Sequence, residues 1–162
     1  MRTSIATGLL LAGGIAQADG IRAVAEEPPS RHLIYAEAFG KAGAYGFGYE
    51  RTLTSRLSLG GVVSFVVIRG QQIATASPYV HATLVRRGKH ALFGELGAVL
   101  VHSRIRSPVD DWNGTSDTGG GGVGALGWER TGRRVVLRAQ GSVLVGEGGA
   151  APWGGLAIGF RP

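Results

Sequence analysis

The chain has no cysteine. That one absence excludes a disulfide-stapled secreted scaffold, a thiolate zinc site, an iron–sulfur cluster and a thiol nucleophile. Charge is also scarce, at 17% of residues against 44% hydrophobic, and a chain of that balance buries too much apolar surface to be disordered. The 29 glycines follow no collagen-like period,. No apolar run approaches the ~20 residues that a membrane-crossing helix needs. Beyond residue 30, no window shows the apolar recurrence at three and four residues that marks an amphipathic helix. The 162 residues suit one domain,, whose stability comes from backbone hydrogen bonds and packing.

The N-terminus reads as an address. A cationic Arg2 precedes an apolar stretch over 5–15 and then Ala16-Gln17-Ala18, a signal-peptidase pattern. A second small-x-small site stands at Ala23-Val24-Ala25. The expectation is a signal peptide over 1–18 (or 1–25), an extended leader over 19–31 and one folded domain over 32–162, exported from the cytoplasm.

In that domain the apolar period is two. Tyr45, Phe47 and Tyr49 alternate with Gly46, Gly48 and Glu50; Leu57, Leu59, Val63, Phe65 and Val67 share one parity, as do Leu156, Ile158 and Phe160. Strands are expected over 32–40, 44–53, 56–68, 72–86, 90–103, 118–130, 133–146 and 152–161. Tight turns join the second and third, fourth and fifth, and sixth and seventh strands, whereas one long connection over 104–117 carries Pro108, Asp110, Asp111, Asn113 and Gly114,. Short turns at one end and a long loop at the other describe an up-and-down meander, and eight such strands can close. The expected fold class is all-β, an eight-stranded antiparallel up-and-down transmembrane β-barrel.

Two patterns favour lipid over water as the surrounding solvent. The strands reach the ~9–11 residues of a membrane-crossing strand, and in the last strand large apolar residues oppose Gly155, Ala157 and Gly159, as a narrow filled lumen requires,. An arginine facing lipid at the midplane costs roughly 2–4 kcal/mol. Arg138 is therefore expected to point inward with Gln140 and Ser142, forming an interior polar cluster with Glu37 and Glu95. The rival is a secreted, soluble, lipocalin-like barrel that binds a small apolar ligand.

With these features and a final strand reading Trp153-Gly154-Gly155-Leu156-Ala157-Ile158-Gly159-Phe160, the chain resembles small outer-membrane barrels of the OmpA/OmpX type. Residues 32–162 carry the resemblance as a pattern. It implies residence in the cell outer membrane, contact with outer-membrane lipid, and an assembly signal at Gly155, Ile158 and Phe160 read by the barrel-insertion machinery. Arg161-Pro162 follow the terminal aromatic, where members of that class commonly stop.

The remaining motifs are weak. Gly122-Val123-Gly124-Ala125-Leu126-Gly127 fits G-x-G-x-x-G, but no helix follows to meet a pyrophosphate. His32, His81, His90 and His102 lack ligand spacing, and the hard oxygens of Asp110, Asp111, Asn113 and Asp117 miss the calcium-loop pattern,. Asn113-Gly114-Thr115 is a glycosylation sequon of little meaning in a bacterial setting. His102 and Ser103, with Asp110 and Glu147 in loops, are the one constellation from which a lipid-modifying enzyme could be built, yet adjacent strand residues point to opposite faces. No catalytic residue, cofactor, metal site or nucleic-acid motif is expected. Arg51, Arg56, Arg86, Arg87, Lys89, Arg130, Arg133 and Arg134 gather at the short-turn end, as solvated turns or as contacts to phospholipid headgroups. Asp110, Asp111, Trp112 and Asn113 in the long loop are the candidate surface for an extracellular partner, which the sequence does not name.

Overall fold

The computed structural model describes residues 30–68, 70–105 and 114–162. The expected signal peptide, the leader up to residue 29, and Asp110, Asp111, Trp112 and Asn113 lie outside the described residues.

Eight strands run in order: β1 (His32–Gly40), β2 (Gly43–Thr52), β3 (Leu57–Ile68), β4 (Gln71–Arg87), β5 (His90–Ile105), β6 (Thr115–Thr131), β7 (Val135–Gly146) and β8 (Gly149–Phe160). Each pairs antiparallel with its neighbours, and β1 pairs with β8 through Ile34↔Phe160, Ala36↔Ile158 and Ala38↔Leu156, which closes the barrel. Closure leaves no unpaired sheet edge. The all-β, closed, eight-stranded antiparallel architecture is the one that period-two patterning implies.

Strand parity decides which side chains go where. Phe47, Leu96, Leu126 and Leu156 point outward and are 65%, 74%, 67% and 66% exposed. The alternate positions, among them Tyr35, Glu37, Glu50, Tyr79, His81, Phe93, Glu95, Glu129 and Arg138, point inward and are buried. The burial is inverted relative to a water-soluble barrel, with the apolar surface outside and the ionised groups within.

Three details differ from the expectation. β4, β5 and β6 extend beyond their expected ends, so Arg104, Ile105 and 115–117 belong to a β-ladder through pairs such as Ile105↔Thr115; the long connection is correspondingly shorter. The β7–β8 connection at the same end is also tight, with Gly146 paired to Gly149. A register shift between Thr83 and Val85 puts an extra residue, Leu84, into β4 opposite β5, and such a bulge re-aims the side chains beyond it.

The β1–β2 hairpin departs most from a plain meander. Phe39 has φ 53°, the one non-glycine residue with positive φ among those described, and a left-handed step there turns the chain out of its pleat. Phe39 is thrown outward, 61% exposed, while Lys41 and Ala42 at the tip are buried. The tip folds into the lumen. It is held by Ser64 Oγ, which donates to the Ala42 carbonyl at 2.7 Å, and by the Ala42 amide, which donates to Glu37 Oε1 at 3.0 Å.

Candidate functional site

Within the lumen, large side chains fit because glycine stands across the ladder from them. Tyr35 pairs with Gly48, Tyr79 with Gly60, and Phe93 with Gly127. A Cβ at Gly60 would lie 2.6 Å from the Tyr79 ring, and one at Gly127 2.5 Å from Phe93. The aromatic rings lie over these bare positions,.

Arg138 on β7 sits at the centre. Its Nε donates to Glu129 Oε2 at 2.8 Å, Nη1 donates to Glu50 Oε2 at 2.7 Å, and Nη2 donates to Glu50 Oε1 at 3.1 Å. The bidentate fork to Glu50 is the strong geometry for a guanidinium–carboxylate pair. Glu129 is the direct cross-strand partner of Arg138; Glu50 comes from β2, across the barrel. Glu95 Oε1 is a further 3.9 Å contact. Tyr79 donates its hydroxyl to Glu50 at 3.1 Å, and the Phe93 ring lies 5.5 Å from the guanidinium carbon.

A second cation enters from the folded hairpin tip. Lys41 Nζ donates to Glu95 Oε2 at 2.7 Å, lies 3.5 Å from Glu37 Oε2, and sits 4.4 Å from the centre of the Tyr79 ring. His81, the cross-strand partner of Glu95, places Nδ1 3.0 Å from Glu95 Oε1 and stacks on Phe93 at 4.8 Å. Because an ionised carboxylate only accepts, Nδ1 carries the proton in this bond. The result is one connected network in which four carboxylates surround Arg138, Lys41 and His81.

Of the expected interior set, Glu37, Glu95 and Arg138 all face inward and are buried. They are linked differently from a Glu37–Arg138–Glu95 triad: Arg138 takes Glu50 and Glu129 with Glu95 at its edge, and Glu37 takes Lys41. Gln140 is half-buried two residues beyond Arg138 and stands outside this hydrogen-bonded set. Sequence reasoning missed Glu50, Glu129, Lys41 and His81. The parity of Glu50 against Tyr49 and of Glu129 against Trp128 already marks both as inward. What parity omits is strand stagger, which brings residues near one strand's end level with the middle of another. For Lys41 nothing in the local pattern signals an inward-folded turn.

The other candidates separate. Ile158 and Phe160 point outward, 57% and 45% exposed. Gly155 lies on the inward parity of β8, where a Cβ would stand 2.6 Å from the Phe39 carbonyl oxygen and 2.8 Å from Gly40 Cα; its bareness makes room for the hairpin that folds inward. The six residues 122–127 are ordinary β6 ladder, with no helix following. His102 faces outward and bonds Thr118 at 2.8 Å, while Ser103 takes the opposite parity, so the two share no proton. Ligand atoms of Glu50, His81 and Glu95 lie within 4.8 Å of one another. The Arg138 guanidinium already hydrogen-bonds Glu50 there, so the positive charge at that point comes from the chain itself.

No family model matches the chain, and no curated protein matches its sequence. Solved structures do match its fold. The N-terminal β-barrel domain of Pseudomonas aeruginosa OprF superposes with a TM-score of 0.59 at 16% identity, over 83% of this chain and 99% of that one. Ail, the attachment invasion locus protein of Yersinia pestis, gives 0.55 at 12% identity, over 81% and 95%. The same protein in complex with the heparin analogue sucrose octasulfate gives 0.55 at 14% over the same shares. At these identities the likeness is one of fold, and that fold is the small eight-stranded barrel of outer-membrane proteins.

Proposed function

We propose that this protein is an integral outer-membrane β-barrel with a closed lumen, acting as a structural or surface-interaction element without catalysis. The observation that carries this reading is the inverted burial. Outward residues such as Leu96, Leu126 and Leu156 stay largely exposed while Glu37, Glu50, Glu95, Glu129 and Arg138 are each 5% exposed or less. In water, every exposed apolar Å² forgoes about 25 cal/mol of burial; hydrocarbon around the barrel removes that cost, and closed hydrogen bonding lets the backbone cross it. A lipocalin-like apolar-ligand site would need the opposite arrangement, and the lumen is filled by charge.

Export by a signal peptide over 1–18 (or 1–25), a leader over 19–31, and insertion guided by Gly155, Ile158 and Phe160 complete the proposal. With eight strands, both ends of the barrel domain lie on the short-turn side, which in this reading faces the periplasm. The opposite end, including Asp110, Asp111, Trp112 and Asn113, is the candidate surface for an extracellular partner. Cell fractionation with heat-modifiable gel migration tests the reading. Recovery in the outer-membrane fraction, with an unheated band that shifts on boiling, is expected. Mature protein recovered soluble without detergent overturns it.

A further inference from the structure

Among the described residues, the exposed cations concentrate at one end of the barrel, with Arg104 the exception, and the exposed carboxylates lie at the other. At the short-turn end, Arg51 and Arg130 close the outward rows of β2 and β6, Arg87 closes β4, and Arg56, Lys89 and Arg133 stand in the three turns; all are exposed. Arg31 before β1 adds a further exposed cation. The carboxylates nearest that end, Glu50 and Glu129, point inward and are held by Arg138. Among the described residues, the exposed carboxylates, Asp117 and Glu147, are at the other end; the ion pair at this end belongs to Arg86, opposite the buried Ala91 on the inward side, which lies 3.9 Å from Glu129.

We propose that this collar binds the anionic headgroups of phospholipids in the leaflet at the short-turn end; the proposal rests on the membrane reading above. Three observations support a lipid surface over a one-sided protein partner. The cations come from strand ends and turns all around the circumference, and only a bilayer meets a barrel on every side. They continue outward-facing aromatic rows: Tyr49 precedes Arg51 and Trp128 precedes Arg130 on the same face, a separation of about 7 Å along the strand, which matches an aromatic belt at the interface with charge just beyond it in the headgroups. The belt residues are braced, with His90 stacked on Trp128 at 5.4 Å and His32 Nδ1 bonded to the Tyr49 hydroxyl at 2.6 Å.

Trp128 is a built-in reporter. In a variant carrying Trp112→Phe and Trp153→Phe, its fluorescence is read in phosphatidylcholine vesicles holding a minor fraction of brominated phosphatidylglycerol or, in parallel, brominated phosphatidylcholine. Enrichment of the anionic lipid by about fivefold is expected, the factor that one engaged cation contributes at a membrane surface. High salt, which shortens screening to about 3 Å, abolishes the preference. So does the combined substitution Arg51→Gln, Arg87→Gln, Arg130→Gln, whereas Arg104→Gln at the opposite end leaves it intact. Heat-modifiable migration verifies that each variant is folded, and the salt arm requires no collar variant. Equal quenching by both lipids, or a preference that survives high salt, overturns the collar proposal while the membrane reading stands. Quenching by neither lipid overturns both. Collar-dependent sedimentation with isolated peptidoglycan without lipid preference assigns the charge to a cell-wall polymer instead.

Discussion

Arg138 holds Glu50 and Glu129 through three hydrogen bonds, so its removal leaves two buried carboxylates close together with no shared cation. Breaking a buried pair this way costs roughly 3–5 kcal/mol, reduced where lumenal water enters. Arg138→Leu is expected to lower the urea-unfolding free energy at neutral pH. Proton counting sets the pH dependence. In the variant, protonation of one of the two carboxylates relieves the repulsion, so mild acidification is expected to recover part of the loss relative to the wild type. An outward Arg138 would give the opposite sign, a gain of roughly 2–4 kcal/mol at every pH. Gly155 is the second residue-scale test, since the atoms that a Cβ would meet are backbone and cannot swing aside. Gly155→Ala is expected to cost about 1–3 kcal/mol. Gly154→Ala is tolerated, because its nearest neighbour, the Gln140 carbonyl oxygen, is 3.6 Å away. Urea midpoints of the two variants make the comparison.

Among the elements, the β1–β2 hairpin and β8 carry the contrast between what a strand pattern announces and what it hides. The second half of β8 is legible: Leu156, Ile158 and Phe160 alternate with small inward residues, and the observed exposure over 155–160 tracks that alternation. Cysteines at 156, 158 and 160 carrying a fluorophore are expected to be quenched by bilayer-embedded quenchers, and those at 157 and 159 are not; quenching without alternation would contradict the outward assignment. The β1–β2 hairpin is legible only as a tight turn. Its inward fold depends on a left-handed Phe39 and on the space above Gly155 and Gly46, features set by strands far away in sequence. Lys41→Met is expected to destabilise the barrel by a few kcal/mol, roughly 3, because Glu37 and Glu95 lose their common cation. Lys41→Arg is expected to retain more of the stability, as measured by the same unfolding assay.

At the scale of the molecule, the closed lumen proposed above rests on the large and charged side chains that are buried inside the barrel. Tyr35, Tyr79, Phe93, Arg138 and Lys41 are all buried, inside a barrel that eight strands make just wide enough for side chains. Planar-bilayer recordings are therefore expected to show conductance far below that of a general porin. Porin-level steps from the folded wild-type protein would contradict a closed lumen. The same architecture makes the charges interdependent, since Glu95 touches His81, Lys41 and Arg138 at once. Double substitutions within the network are expected to be non-additive.

The sequence by itself determined the all-β class, the eight strands and the face on which each row of apolar residues lies, because period-two alternation acts within a strand and demands no knowledge of its neighbours. It also marked Arg138 as inward, because a midplane arginine facing lipid is costly. Only the tertiary structure decided who meets that arginine. Strand stagger brings Glu50 from near the end of β2 to the guanidinium, and the ladder places Glu129 directly opposite it. The expected partner Glu37, on the same rung through Ala157, goes instead to a lysine from an inward-folded turn. Contacts across a closed barrel depend on shear and on which glycines stand opposite which rings, quantities that exist only once all eight strands are paired.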